Sequence, residues 1–505
     1  MHPSTLTGDV VGRFSPAYET ARMDFNRRLS LFPRYVVFCE AVRDVQNAVR
    51  WSRAHGVPLR ARGGRHSYED YSVLNGGLVI DVSRLNTVEL DREAGVARIG
   101  AGARLGQVYD ALWAQGMVTI PGGGCTGVGV SGLTLGGGFG LLTRLWGLTC
   151  DSLRALQMVD ANGEVVNADD ATHPDLMWAS RGGGGGNFGV TTAFTFRVFP
   201  IDFVTVFNIT WAWSDLPRVF AAWQVWADPQ ALDRRLVPIL TLPAERAGYL
   251  SVLGEFVGPF AELDALIQPL VRAAKPTQMI IKHETYIEAV HRFTGGGGSG
   301  ASGTVAGGVI GPTPAVRAGS GGAAGAFAAL GRAGRAASPA RAARDWRRWV
   351  VDGSPDPVLD RFKNTSAFVC APLPPAAVAT LVAQLRRAPS PNALVQFNLH
   401  GGAEARLAND ATAYPWRQGV RYSMQYQAYW SEPAEGPALS RWVAGFRQAM
   451  RPWTRGAYVN YIDSEIVDWP TAYYAGNVRR LVAVKRRYDP GNLFDFPQGI
   501  GRIRL

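Results

Sequence analysis

Three glycine clusters set the tightest limit on what this chain can fold into. They are Gly63-Gly64, the glycines scattered from Gly122 to Gly140, and Gly182–Gly186 followed by Asn187-Phe188-Gly189. Each glycine costs a helix about 1 kcal/mol, so these stretches read as turns and loops. Glycine also tolerates positive φ and lets other groups approach its backbone, so successive N–H groups can cradle a diphosphate. A lone glycine pair would imply a tight turn only. Three clusters between residues 63 and 189 point to a phosphate-bearing ligand.

Two familiar cradles can be tested against the chain. Gly127-Val128-Gly129-Val130-Ser131-Gly132 matches G-x-G-x-x-G, with Asp151 near the position of a ribose-binding acid. That fingerprint needs a helix to begin at its third glycine, and Leu133-Thr134-Leu135-Gly136-Gly137-Gly138-Phe139-Gly140 is too glycine-rich to continue as one. A nicotinamide site is not expected. No cluster is followed by Gly-Lys-Ser/Thr, which excludes a P-loop.

Two nucleophiles stand inside these loops. His66 lies in Arg62-Gly63-Gly64-Arg65-His66-Ser67-Tyr68-Glu69-Asp70, and Cys125 in Pro121-Gly122-Gly123-Gly124-Cys125-Thr126-Gly127-Val128-Gly129. A neutral imidazole and a thiolate are the side chains best suited to bond an electron-poor isoalloxazine ring. Singly, His66 would be a surface histidine and Cys125 an inert core thiol. If both are attached to such a ring, the cofactor is tethered twice.

At 505 residues the chain is too long for one core, so at least two domains are expected. Its net charge of +11 raises the question of nucleic acid. No Lys/Arg block interleaved with aromatics and no zinc-finger spacing supports it, and an acidic substrate is only weakly suggested. Cys39, Cys125, Cys150 and Cys370 form no C-x-x-C pair, so neither a metal site nor a disulfide scaffold is expected. No signal peptide and no apolar run of about 18 residues is visible, so a cytoplasmic, non-membrane protein is the default, with export left open.

Along the chain, residues 35–200 alternate short strands (78–82, 96–99, 190–199) with a helix at 105–115. From 201 longer units follow: strands at 204–213, 249–257, 394–400 and 421–430, and helices at 216–226, 262–274, 374–387 and 438–450. This order suits an antiparallel sheet flanked by helices. Residues 294–343 are almost wholly Gly, Ala, Ser, Pro and Arg, and a flexible excursion is expected there. A single helix is expected over 471–487. The implied division is residues 1–200, 201–450, and a C-terminal segment 451–505 that completes the first domain.

Several motifs together resemble the berberine-bridge-enzyme-like family of the vanillyl-alcohol-oxidase (PCMH-type FAD-binding) group. The His66 loop is similar to R-x-G-G-H-S-Y-E, and Gly124 to Gly129 to G-x-C-x-x-V-G. Asp175-Leu176-Met177-Trp178-Ala179-Ser180-Arg181-Gly182 through Val190 is similar to D-L-x-W-A-x-R-G-G-G-G-G-N-F-G-V. Tyr458-Val459-Asn460-Tyr461 and Asp489-Pro490-Gly491-Asn492-Leu493-Phe494 are similar to Y-x-N-Y and D-P-x-N-x-F. One departure is Arg65, where the family carries glycine before the histidine.

The resemblance implies an α+β fold: an FAD-binding domain of two small α+β subdomains, plus a substrate domain with an antiparallel sheet flanked by helices. It implies FAD bound bicovalently, 8α-histidyl through His66 and 6-S-cysteinyl through Cys125. The implied cradle is Arg62, Gly63, Gly64, Arg65 and Ser67; Gly124, Thr126, Val128, Gly129 and Gly132; Gly186, Asn187, Gly189 and Val190; and Asn460 and Asn492. Tyr461 is the implied base, with Tyr458 beside the substrate. A base near neutral pH would need its phenol lowered by roughly 1–3 units, which a nearby cation or donor must supply.

At period two, Gln396, Asn398 and His400 share a strand face, and the resemblance places Gln396 and Asn398 in the substrate cleft. Gln425 is a further candidate, and Tyr68 and Trp146 are either site aromatics or core. Valine at 128 goes with relatives that admit O2. The expected activity is oxidation of an alcohol or hemiacetal of a sugar, oligosaccharide or glycosylated or polyketide natural product, with hydrogen peroxide released. The alternatives are a covalent-flavin cyclase or C–C bond-forming enzyme and a non-catalytic flavin-fold binding protein. The expected partners are a small-molecule substrate and O2, in a monomer or homodimer.

Overall fold

A computed structural model describes residues 5–293 and 361–505, so the stretch 294–343 lies outside the described residues. Nine strands from residues 9–197 make two small sheets. The first runs Asp9–Gly12, Tyr35–Phe38, Leu78–Asp81, Leu59–Arg62. Its last three strands are parallel. The crossover helix Val42–His55 makes this possible, and it stops at Gly56, whose φ of 61° is the left-handed stop glycine allows. The second sheet is antiparallel, in the order Val88–Asp91, Val96–Gly100, Val190–Arg197, Leu153–Val159, Val165–Asp169.

The third sheet has seven antiparallel strands: Gln278–Thr285, Phe203–Ala212, Tyr249–Phe256, Leu236–Pro243, Ala393–Leu399, Tyr422–Trp430 and Arg361–Val369. Alternation decides its two faces. Val395, Phe397, Met424 and Tyr426 pack into one apolar core with Val219, Trp223, Ile267, Leu381 and Phe446 of the flanking helices. The residues between them carry polar side chains on the opposite face, toward the first two sheets. The architecture is therefore the expected α+β fold: two FAD-type subdomains and a sheet-and-helix substrate domain. Residues of the C-terminal segment, among them Val459, Tyr473, Leu481 and Ile500, join the core of the first two sheets.

Two local readings are corrected, and the rejection of a ribose-binding Asp151 agrees with its contacts. The helix expected over 471–487 is two helices, Trp469–Tyr474 and Val478–Tyr488, because Ala475 takes φ 45° and breaks the ladder. Asn477 in the break donates to the carbonyls of Asn409, Thr412 and Ala413. A short helix, Val130–Leu135, does form inside the glycine-rich run and ends at Gly136. Asp151 accepts from Arg417 at 2.6 Å and from the Leu148 amide at 2.9 Å, so it is a framework acid and not a ribose ligand.

Candidate functional site

The glycine loops meet the polar face of the large sheet around one cleft with a cavity volume of about 370 Å³, inside the roughly 300–1,000 Å³ range of small-molecule sites. The His66 loop leaves the C-terminal end of the parallel strand Leu59–Arg62, where ligand loops of such sheets belong. It lies so close to the Cys125 loop that neither backbone tolerates a side chain there. A Cβ on Gly64 would fall 2.2 Å from the Gly129 nitrogen, and one on Gly129 2.5 Å from that of Gly64. On the cleft side the reverse holds: a Cβ on Gly124 or Gly132 would meet no protein atom within 4 Å. Gly186 adds a positive φ of 72°. These bare backbone stretches are a cradle shaped for a ligand.

His66 and Cys125 both line this cleft and are half-buried. Burial, and then the nearby Arg104 cation, hold the His66 pKa down at about 3, so the imidazole is neutral at physiological pH. Phe25 stacks on the ring with centroids 4.1 Å apart. Burial raises the Cys125 thiol, while the amides of Gly127 and Val128 and the Arg104 cation pull against it.

Other candidates divide. Gly63, Ser67, Val128, Gly189, Val190 and Asn460 line the cleft. Arg62 and Arg65 also reach its wall, but their guanidinium groups turn inward to Asp81, and Arg62 also to Asp24. Asn187 uses its amide internally, donating to Gly183 and Gly184 and accepting from the Ile500 amide. Thr126 packs against Gly106 and Asn492 against Gly501, and neither is on the cleft wall. Trp146 stacks on Phe199 as core. Tyr68 is a wall residue.

The large sheet contributes an amide ladder. Register places Thr241 beside Gln396, Gln396 beside Gln425, and Gln427 beside Asn364. A directed chain of donors follows. Asn364 donates to the Tyr429 hydroxyl (3.3 Å), which donates to Gln427 (2.5 Å); Gln427 donates to Gln396 (2.6 Å), and Gln396 to Thr241 (3.2 Å). Asn398 donates to Ser423 at 3.4 Å. His400, on the same face, instead pairs with Glu404 at 2.8 Å and is buried away from the cleft. Phe362 and Asn364 were missed because no strand was read at Arg361–Val369, and Tyr429 although it shares a face of the strand Tyr422–Trp430 with Gln425; alternation was the available signal on both strands. Among the described residues the large sheet places no charged side chain on the cleft wall.

Tyr461 stacks on Tyr68 with centroids 5.6 Å apart at 6°, and its hydroxyl has no hydrogen-bond partner among the described residues. Burial pushes its pKa up to about 12, opposite to the lowering expected of a base. Tyr458 also lines the cleft, but its hydroxyl accepts from the Gly138 amide (2.8 Å) and from Asn460 (2.9 Å), which turns it away from a substrate.

Behind the Cys125 loop, Glu255 is buried beside Tyr109 and Tyr286, and its Oε1 has no partner among the described residues. Burial, then Glu284, lift its pKa from 4.5 to about 8. Its protonated form therefore supports the fold fully below pH 4.5, and that support is lost as pH rises through about 8. The Glu255→Gln protein should match wild type in melting temperature near pH 4.5 and melt several degrees higher at pH 8.5. Parallel melting curves at the two pH values would discredit the assignment.

Residues 33–169 match the FAD binding domain family, and residues 457–501 the family described as berberine and berberine like. The chain is 39% identical to the FAD-linked oxidoreductase YgaK of Bacillus subtilis (strain 168), over 100% of this chain and 99% of that protein. It is 30% identical to a chitooligosaccharide oxidase of Gibberella zeae, over 94% and 89% of the two chains. Among solved structures, BBE-like 1 of Physcomitrella patens superposes with a TM-score of 0.83 at 27% identity, covering 99% of this chain and 98% of that one. The open backbone at Gly124, Gly132 and Gly186 fits the FAD these matches imply. Among the described residues no helix is long and apolar enough to cross a membrane.

Proposed function

The chain belongs to the berberine-bridge-enzyme-like family of FAD-linked oxidoreductases, and on that premise we propose that it oxidises an alcohol or hemiacetal carbon of a neutral, hydroxyl-rich small molecule. A sugar, an oligosaccharide or a glycosylated natural product fits that description. The observation that carries this reading is the uncharged amide ladder lining the same cleft as the Tyr461 hydroxyl, which has no partner among the described residues. FAD held by the glycine cradle supplies a hydride acceptor that O2 can reoxidise, with hydrogen peroxide as the product. His66 and Cys125 are the residues that would tether it.

The chain's own groups perform the rest. Tyr461 takes the proton of the substrate hydroxyl. Gln396, Asn398 and Gln425 orient hydroxyls through amides whose partners are already set, so little side-chain freedom is lost on binding. Tyr68 and Phe362 offer apolar faces to the substrate's carbon skeleton, and the small side chain of Val128 leaves room for O2. The chitooligosaccharide oxidase among the relatives supports the substrate class.

The test is peroxide release in air from neutral mono- and oligosaccharides and aglycone alcohols, beside acid precipitation of the purified protein. Peroxide with at least one neutral polyol, and yellow colour that stays with the polypeptide, are expected. Turnover only with charged substrates would overturn the substrate reading. Complete release of flavin into the supernatant would overturn the tethers.

A further inference from the structure

We propose that Arg65 and Phe25 are positioning residues for attachment at His66: Arg65 pins the segment 20–25 under the loop, and Phe25 fixes the plane of the imidazole. The proposal rests on the reading of His66 as a tether.

Arg65 is where this chain departs from the glycine of its family pattern, and its φ is 65°. That left-handed conformation is disfavoured for a side-chain-bearing residue and freely open to glycine. Arginine brings what glycine lacks. Its buried guanidinium donates to the carbonyls of Thr20 and Met23, each at 3.3 Å, and pairs with Asp81 at 3.2 Å. Its own carbonyl accepts the Phe25 amide at 2.9 Å. The segment is thus held from both the backbone and the side chain of one residue, immediately before His66.

Phe25 transmits that hold. Its ring lies 4.1 Å from the imidazole, with 23° between the planes. A nitrogen lone pair lies in the plane of an imidazole ring, so a partner stacked on its face sets the direction of attack while leaving the nitrogen edge open. A neutral imidazole carries one protonated nitrogen and one with a free lone pair, and the latter is the nucleophile. Attachment forms one bond from that nitrogen to the flavin 8α carbon. The methyl group and the imidazole each give up one proton, the electron pair of the broken C–H bond passes to the flavin, and O2 then removes two electrons and two protons as hydrogen peroxide. Misdirecting a nucleophile by about 1 Å can slow such a step about a hundredfold.

The experiment isolates this tether by placing the substitutions in two backgrounds and measuring the flavin that survives acid precipitation, with intact mass as a second readout. In Cys125→Ala, where His66 is the sole tether, adding Phe25→Leu or Arg65→Gly should lower the covalently held fraction several-fold. Phe25→Tyr, which keeps the stacked face, should preserve it. In His66→Ala, where Cys125 is the sole tether, the same substitutions should change nothing. Equal retention in Cys125→Ala with and without Phe25→Leu would overturn the proposal, and so would equal losses in both backgrounds. If Cys125→Ala alone holds no flavin, the tether reading itself fails and takes the proposal with it; that result appears before either positioning residue is touched.

Discussion

Replacing Tyr461 by Phe should lower kcat by about 10²–10⁴-fold, the usual worth of a positioned base, while leaving the melting temperature and the flavin content unchanged. Removing a hydroxyl that has no hydrogen-bond partner among the described residues forfeits no bond to them, and phenylalanine keeps the ring that stacks on Tyr68 at 5.6 Å. The loss should therefore be chemical and not structural. The pH profile offers an independent readout. With the phenol pushed up to about 12, its ionised fraction grows with every step in pH below that value. Wild-type kcat/KM should climb between about pH 7 and 9, approaching tenfold per unit, and the climb should vanish in Tyr461→Phe. A variant that keeps kcat within about a factor of two of wild type would remove Tyr461 from the base role.

Lys363→Met should destabilise the protein by about 3–5 kcal/mol, because breaking one side of a buried ion cluster strands the other. Lys363 is almost fully buried, 2.7 Å from Glu69 and 2.5 Å from Asp463, and Glu69 also takes Arg28 at 2.7 Å and Ser464 at 3.1 Å. The cluster joins three segments that each place a wall residue in the cleft: Glu69 follows Tyr68, Lys363 precedes Asn364, and Asp463 lies two residues past Tyr461. The lysine is held charged, its pKa raised by the two carboxylates against the opposing effect of burial. Its contribution is therefore fully present below its ordinary value of 10.5 and is lost only above it. Urea unfolding at pH 7 measures the effect, and a midpoint equal to wild type would show that the cluster does not hold the three segments together. Turnover should fall as well, since the Tyr68–Tyr461 stack depends on two of those segments.

Much of the site was legible because its signals are local. The glycine clusters announced loops through the φ freedom of glycine itself, and the His66 and Cys125 loops do form one cradle in which Gly64 and Gly129 touch backbone to backbone. Gln396 and Asn398 fell on one face because side chains alternate along any strand. Local pattern failed where a distant partner decided the outcome. Ala475 breaks a helix that the periodicity around it would continue, and Asn477 in that break is held by carbonyls more than 60 residues away.

What the sequence determined by itself was the class of site: an FAD-type cradle, a histidine and a cysteine on its wall, and a C-terminal tyrosine pair, each set by residue type and spacing over a few positions. What only the tertiary structure decided was which partners these side chains meet. Tyr458 has its hydroxyl taken by the Gly138 loop while that of Tyr461 has no partner among the described residues, and Arg65 turns from the cleft to Asp81. His400 drops out of the ladder that Asn364, Gln427 and Tyr429 enter. The physical reason is range. Backbone preference and side-chain periodicity act over a few residues, whereas a hydrogen bond or an ion pair goes to whichever group the fold brings within about 3 Å, as it does for Lys363 and Glu69, 294 positions apart.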